Sequence, residues 1–189
     1  MKNSAKNMAL ISLFAALTTV GAYLKVPVPV VPFTLQVFFV SISGILLGPR
    51  KGALSQLLYA ILGLAGIPVF TQGGGISYIF NPTFGYIIGF IGGAYLTGYL
   101  FKRLRKITVF GIFLSIIGGL GVIYFTGVCY LYLIKRFYLG NEFTLWNAVY
   151  YGFVLCIGGD ILSSYIASVL CKKLLGIKGL KLPAMAERN

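Results

Sequence analysis

Six apolar runs constrain this chain more than any other feature: roughly Asn7 to Leu24, Leu35 to Leu47, Gly52 to Ile67, Tyr78 to Phe101, Thr108 to Ile134 and Trp146 to Cys171. Soluble domains are about a quarter charged. Here 10% of residues are charged, 58% are hydrophobic and the mean hydropathy is +0.92. The pattern predicts an all-α integral membrane protein, one domain over residues 1–189 with six transmembrane helices and irregular extracellular loops. The second and third runs are shorter than the ~20 residues of a perpendicular span, as expected where a membrane is thinned or a helix lines a cavity. Lys2 and Lys6 precede the first run like the start of a secretory signal. That run is too long for a signal core and leads straight into further spans, so it is read as an uncleaved first helix.

Orientation follows from the basic residues. With the N-terminus in the cytoplasm, 13 of the 16 lysines and arginines fall inside (Lys2, Lys6, Arg50, Lys51, Lys102, Arg103, Arg105, Lys106, Lys172, Lys173, Lys178, Lys181 and Arg188). Only Lys25, Lys135 and Arg136 fall outside. This bias predicts that both termini are cytoplasmic. The net charge of +13 therefore belongs to span ends facing a lipid bilayer. Nucleic-acid binding is excluded, because that needs basic residues gathered on one soluble face.

Missing residues narrow the function. The chain has no histidine, and its only acids are Glu142, Asp160 and Glu187. That leaves no acid-base pair for an enzyme and no metal cluster. The glycine run Gly73-Gly74-Gly75 is followed by Ile76 and Ser77, without the lysine of a phosphate loop, so the chain does not hydrolyse ATP. The three cysteines (Cys129, Cys156 and Cys171) lie in apolar runs and read as small buried hydrophobes. Binding or passage of a solute remains.

Two non-helical segments mark where. Lys25 to Gln36 reads KVPVPVVPFTLQ; its three prolines within six positions exclude a helix and leave an extended loop that offers Thr34 and Gln36. Gly66 to Tyr86 is uncharged and interrupted by Pro68 and three glycines. Irregular backbone at membrane depth survives where protein buries it or a cavity hydrates it. Both segments fall on the outer side, where they read either as tight turns or as the walls and lid of a pocket for a small, mostly apolar ligand. Asn81-Pro82-Thr83 predicts the start of the fourth helix, with Asn81 as cap, Pro82 at the first turn and the positive end of the helix near the pocket. Gly85, Gly89 and Gly93, at intervals of four, read as a close helix-helix seam.

Asp160 is the single acid within a span and follows Gly158-Gly159. An intramembrane carboxylate is costly and marks a functional site by default. No lysine or arginine lies at its depth in the spans, so a ligand bearing N–H donors is the better partner.

The run VPVPVVPFTLQVFFVSISGILLGPRKGALSQLLYAILGLAGIPVF, followed by GGG, NPTFGYIIGF and a late Gly-Asp, resembles the BioY family, the biotin-binding S components of energy-coupling factor (ECF) transporters. The resemblance implies a six-helix membrane protein of a prokaryotic cell membrane. Such a protein takes biotin from outside, has no cofactor of its own, and couples to a transmembrane T protein and two ABC-type ATPases. It implies a ligand site drawn from Asp160, Asn81, Thr83, Tyr86, Thr34, Gln36, Gly74 and Gly75. Where the family commonly has P-G-D-x-x-K, Gly158 replaces the proline and Ser163 stands at the lysine. Lys25 or the start of the fourth helix is then left to meet the ligand carboxylate. A related ligand (lipoate or a biotin precursor) and a stand-alone facilitator stay open. The family's Ala-x-x-x-Ala docking pattern aligns best with Ser12 and Ala16, and less well with Ala5 and Ala9.

Overall fold

The computed structural model describes residues 2–140, 142–177 and 182–186. Lys178, Lys181, Glu187 and Arg188, used above for charge and topology, lie outside them. Helix α1 (Lys2–Tyr23) leads into a small antiparallel hairpin, β1 (Lys25–Val26) with β2 (Phe33–Thr34), in register Lys25 to Thr34. The proline stretch is its connection. The connection folds back at Val30, whose φ of 71° puts a branched residue in left-handed space, and the Val31 amide donates to the Pro29 carbonyl at 2.9 Å.

Helix α2 (Gln36–Leu47) buries ten of its twelve residues. A helix apolar on all sides belongs in a core, and α2 packs against α1, α3, α4, α5 and α7. Gly48, at φ 83°, turns the chain directly into α3 (Pro49–Leu64), where Pro49 occupies the first turn. Beyond α3 the chain winds around Phe70. This ring is 1% exposed and meets Tyr59 edge-on at 5.3 Å and Tyr78 at 4.5 Å. A 3₁₀ turn, Ile76–Phe80, then leads to α4 (Phe84–Arg103).

Helix α4 pairs closely with α5 (Val109–Leu133) along the glycine seam, where a Cβ on Gly89 would lie 2.9 Å from the Ile123 Cα. Thr108 caps α5 by accepting from the Gly111 amide at 3.0 Å. A π turn, Ile134–Tyr138, extends α5. The last long segment is α6 (Leu145–Val149), a π turn at Tyr150–Val154 and α7 (Leu155–Leu175), and short α8 (Pro183–Ala186) packs back on α2.

Among the described residues, four segments are long and apolar enough to cross a membrane: Ala5–Tyr23, Phe84–Arg103, Val109–Tyr138 and Leu145–Leu175. At 12 and 16 residues, α2 and α3 fall short on length. Two apolar cores divide the bundle. One surrounds a cavity and includes Tyr59, Tyr86, Phe90, Ile123 and Tyr124; the other, at the opposite end of α2 and α4, gathers Ile45, Leu47, Phe101, Ile112, Ile116 and Cys171.

Candidate ligand-binding site

The cavity encloses about 580 Å³ of space between atoms, its open mouth included. The hairpin contributes Val31, Pro32, Phe33 and Thr34, and the start of α2 adds Gln36 and Val37. Tyr59, Thr71, Tyr78 and Thr83 come from α3 and the segment after it. Tyr86, Ile87 and Phe90 of α4 face Ile123 and Tyr124 of α5, and Gly152, Cys156 and Asp160 close the circle.

Most polar groups in this lining are already engaged. The Gln36 amide donates to the Tyr59 hydroxyl at 2.8 Å, which in turn donates to the Val69 carbonyl at 3.1 Å, while Thr34 donates to Gln36 Oε1 at 3.1 Å. The Tyr78 hydroxyl bridges Thr71 at 3.0 Å and Thr83 at 3.2 Å. The Tyr86 hydroxyl donates to the Gly152 carbonyl, within the π turn, at 2.7 Å. These bonds fix the walls, because a satisfied buried polar network holds one geometry.

Asp160 differs. It is 4% exposed, and the Tyr124 hydroxyl donates to its Oδ2 at 2.5 Å. Its other oxygen, Oδ1, is buried without a partner among the described residues. A buried acceptor left unpaired costs about 1–3 kcal/mol, and more when charged. Gly159 precedes it: a Cβ there would fall 2.6 Å from the Phe33 ring, so the glycine lets the hairpin's phenylalanine pack directly on α7.

Five of the ten anticipated ligand residues (Thr34, Gln36, Thr83, Tyr86 and Asp160) line the cavity. The other five sit elsewhere. Asn81 does not cap α4, which begins at Phe84 after Thr83. Its side chain instead accepts from the Thr83 amide at 3.0 Å and donates to Gln72 at 2.8 Å, so Asn81 and Pro82 form a turn between the 3₁₀ segment and the helix. Gly74 packs on the Ile67 carbonyl, and the Gly75 amide donates to the Gly63 carbonyl at 2.7 Å, so both shape the loop around Phe70. Ser163 is buried and donates to the Asp160 carbonyl at 3.1 Å. Lys25 is exposed, with Nζ donating at 2.6 Å to the carbonyl of the lining residue Thr71.

Tyr59, Tyr78 and Tyr124 escaped the sequence reading, because a tyrosine inside an apolar run carries no sign of its direction. On α1, Ser12 and Ala16 are exposed, as are Ala5 and Ala9, while Phe14, Ala15 and Thr18 face inward.

The sequence profile of the BioY family matches residues 1–178. The chain belongs to the BioY family. It is 43% identical to the "Probable biotin transporter BioY" of Lysinibacillus sphaericus, over 100% of this chain and 98% of that one. Identity to the "Biotin transporter BioY" of Thermotoga maritima is 37%, over 86% of this chain and 91% of the relative. Its fold matches a crystal structure of the S-component for biotin from an ECF-type ABC transporter, with a TM-score of 0.82, 24% identity, and coverage of 94% and 95% of the two chains.

Proposed function

We propose that this BioY-family chain is the biotin-binding membrane subunit of an ECF-type transporter, and not an enzyme. The observation that carries the ligand assignment is the unpartnered Oδ1 of Asp160 inside the cavity. A carboxylate oxygen accepts hydrogen bonds and donates none, so the ligand must bring an N–H or O–H donor to it. The ureido ring of biotin does so, while the walls of Phe33, Ile87, Phe90 and Ile123 suit its apolar ring and chain. Lipoate has no donor for Oδ1 and would leave the oxygen unpaired; a precursor that keeps the ureido group meets the same requirement as biotin.

The finer reading completes the family picture. All six apolar runs cross the prokaryotic plasma membrane, with α2 short because neighbouring helices surround it, and both termini face the cytoplasm. The cavity then opens outward. The biotin carboxylate lies at the mouth, where Lys25 on the rim meets it in place of the missing lysine at Ser163. The small, outward-facing Ser12 and Ala16 let a partner helix approach closely, which supports docking of a T protein that joins the chain to two ATPases.

Calorimetric titration of the purified protein with biotin, dethiobiotin and lipoate tests the ligand. Biotin and dethiobiotin are expected to bind and lipoate to bind at least about tenfold more weakly, the loss that an unpaired buried acceptor imposes. Lipoate binding as tight as biotin would refute the assignment of Asp160.

A further inference from the structure

A second concave site lies at the other end of α3 and α4. The α4 helix runs from Tyr86 in the cavity wall to Lys102, roughly 24 Å along its axis, and there Pro49, Arg50, Tyr95, Tyr99, Lys102 and Arg103 line an open cleft of about 600 Å³. None of the six is acidic. The Arg103 guanidinium lies over the Tyr99 ring, its Cζ 4.7 Å from the centroid, and Tyr99 is stacked with Tyr95, 6.4 Å apart at an interplanar angle of 10°. Lys102 and Arg103 occupy the last turn of α4, where the helix dipole alone favours cations. That explanation does not cover Arg50, which sits in the first turn of α3, where the same dipole disfavours a cation. Three cations are therefore held together without an anion from the lining.

The surface next to this cleft is apolar. Leu54, Leu57 and Ile61 of α3 and Ile88 of α4 are each 40% exposed or more, and they lead from the cleft toward the other end of the bundle. We infer that the cleft binds the phosphate headgroup of an anionic phospholipid, with its acyl chains lying along the exposed faces of α3 and α4. A basic pocket at the end of a candidate span lies at headgroup depth. The two arginines present planar forks suited to phosphate, and the tyrosine hydroxyls add donors. A free phosphate would use the cations but not the apolar wall, which favours the lipid. The inference does not depend on biotin.

Native mass spectrometry of delipidated, detergent-solubilised protein tests it, with phosphatidylglycerol and phosphatidylcholine of matched chains added in equal amounts. Both headgroups carry a phosphodiester, but phosphatidylcholine adds a trimethylammonium that the three cations repel, so retention of phosphatidylglycerol is expected to exceed that of phosphatidylcholine by about tenfold. In Arg50→Gln/Lys102→Gln/Arg103→Gln the ratio should fall to near one while biotin titration is unchanged. Arg50→Gln alone, an exposed single change, should lower the ratio part of the way. Equal retention of the two lipids by the unaltered protein, or a preference that survives the triple substitution, would overturn the site. Displacement of phosphatidylglycerol by an equal concentration of glycerol phosphate or inorganic phosphate would show a free-anion site and overturn the lipid assignment.

Discussion

The cavity half of the bundle and the closed half are built from the same helices but from different residues. Around the cavity, tyrosines of α3, α4 and α5 hold the elements apart through hydroxyls bonded to backbone and side chains, and three irregular segments complete the wall. In the closed half the core is hydrocarbon, built from isoleucines, leucines, Phe14 and Phe101, and α2 meets α4 closely: a Cβ on Gly44 would lie 2.7 Å from the Ala94 carbonyl oxygen. Apolar side chains fill one end, and hydrogen-bonded tyrosines prop the other open. The enclosed cavity thus belongs to one half, and substitutions in the two halves should fail in different ways.

The largest effect is expected in the closed half. A Cβ on Gly98 would come within 2.6 Å of the Pro49 nitrogen and 2.7 Å of the Gly44 carbonyl oxygen, so Gly98→Leu must push α4 off the joint between α2 and α3. Overpacking costs about 1–3 kcal/mol, occasionally more, and here backbone is the obstacle. Little monodisperse protein should be recovered, whereas Gly121→Leu, with open space around its Cβ, should be recovered normally. Equal yields and melting temperatures for the two variants would refute the tight packing of this half.

The cavity half should lose affinity instead of stability. Asp160→Asn removes a charge-assisted acceptor worth about 1.5–3 kcal/mol, so biotin affinity should fall about ten- to hundredfold. The melting temperature of the ligand-free protein should hold, because Oδ1 has no protein partner to lose. Unchanged affinity would remove Asp160 from the site, and a collapsed melting temperature would make it structural.

This division also sets what the sequence could reveal. Asp160 was legible because one acid in a long apolar run has no cheap structural role, and the proline stretch because proline excludes helix. Tyr124, the immediate partner of Asp160, was not legible, since α5 exposes Phe125 next to it and buries Tyr124, and only packing decides between them. The start of α4 was misjudged because Asn81 and Pro82 suit a turn as well as a cap. Gly74 and Gly75 were read as ligand residues, and they lie in the loop that folds around Phe70, outside the cavity lining.

Tyr124→Phe should give a smaller loss. It deletes the 2.5 Å bond to Oδ2 but keeps the edge-on ring contact with Phe153 at 4.9 Å, so the carboxylate stays and loses its orientation. A net hydrogen bond of about 1 kcal/mol corresponds to roughly fivefold in affinity. Because the two groups act through one bond, Tyr124→Phe combined with Asp160→Asn should be less than additive. Full additivity in titrations of the four proteins would show that Tyr124 does not position Asp160.

The smallest effect belongs to the rim, where Lys25 is exposed and tied to the Thr71 carbonyl. An exposed charge pair contributes about 0–1 kcal/mol and is screened by salt. Lys25→Gln should therefore weaken biotin by no more than about fivefold at low ionic strength, and the loss should fade as salt is added. Biotin amide, which lacks the carboxylate, should bind the variant and the unaltered protein equally. The comparison separates two roles for one lysine. If Lys25 serves only to hold the hairpin against the Thr71 segment, the loss will be the same for biotin and its amide and will not respond to salt.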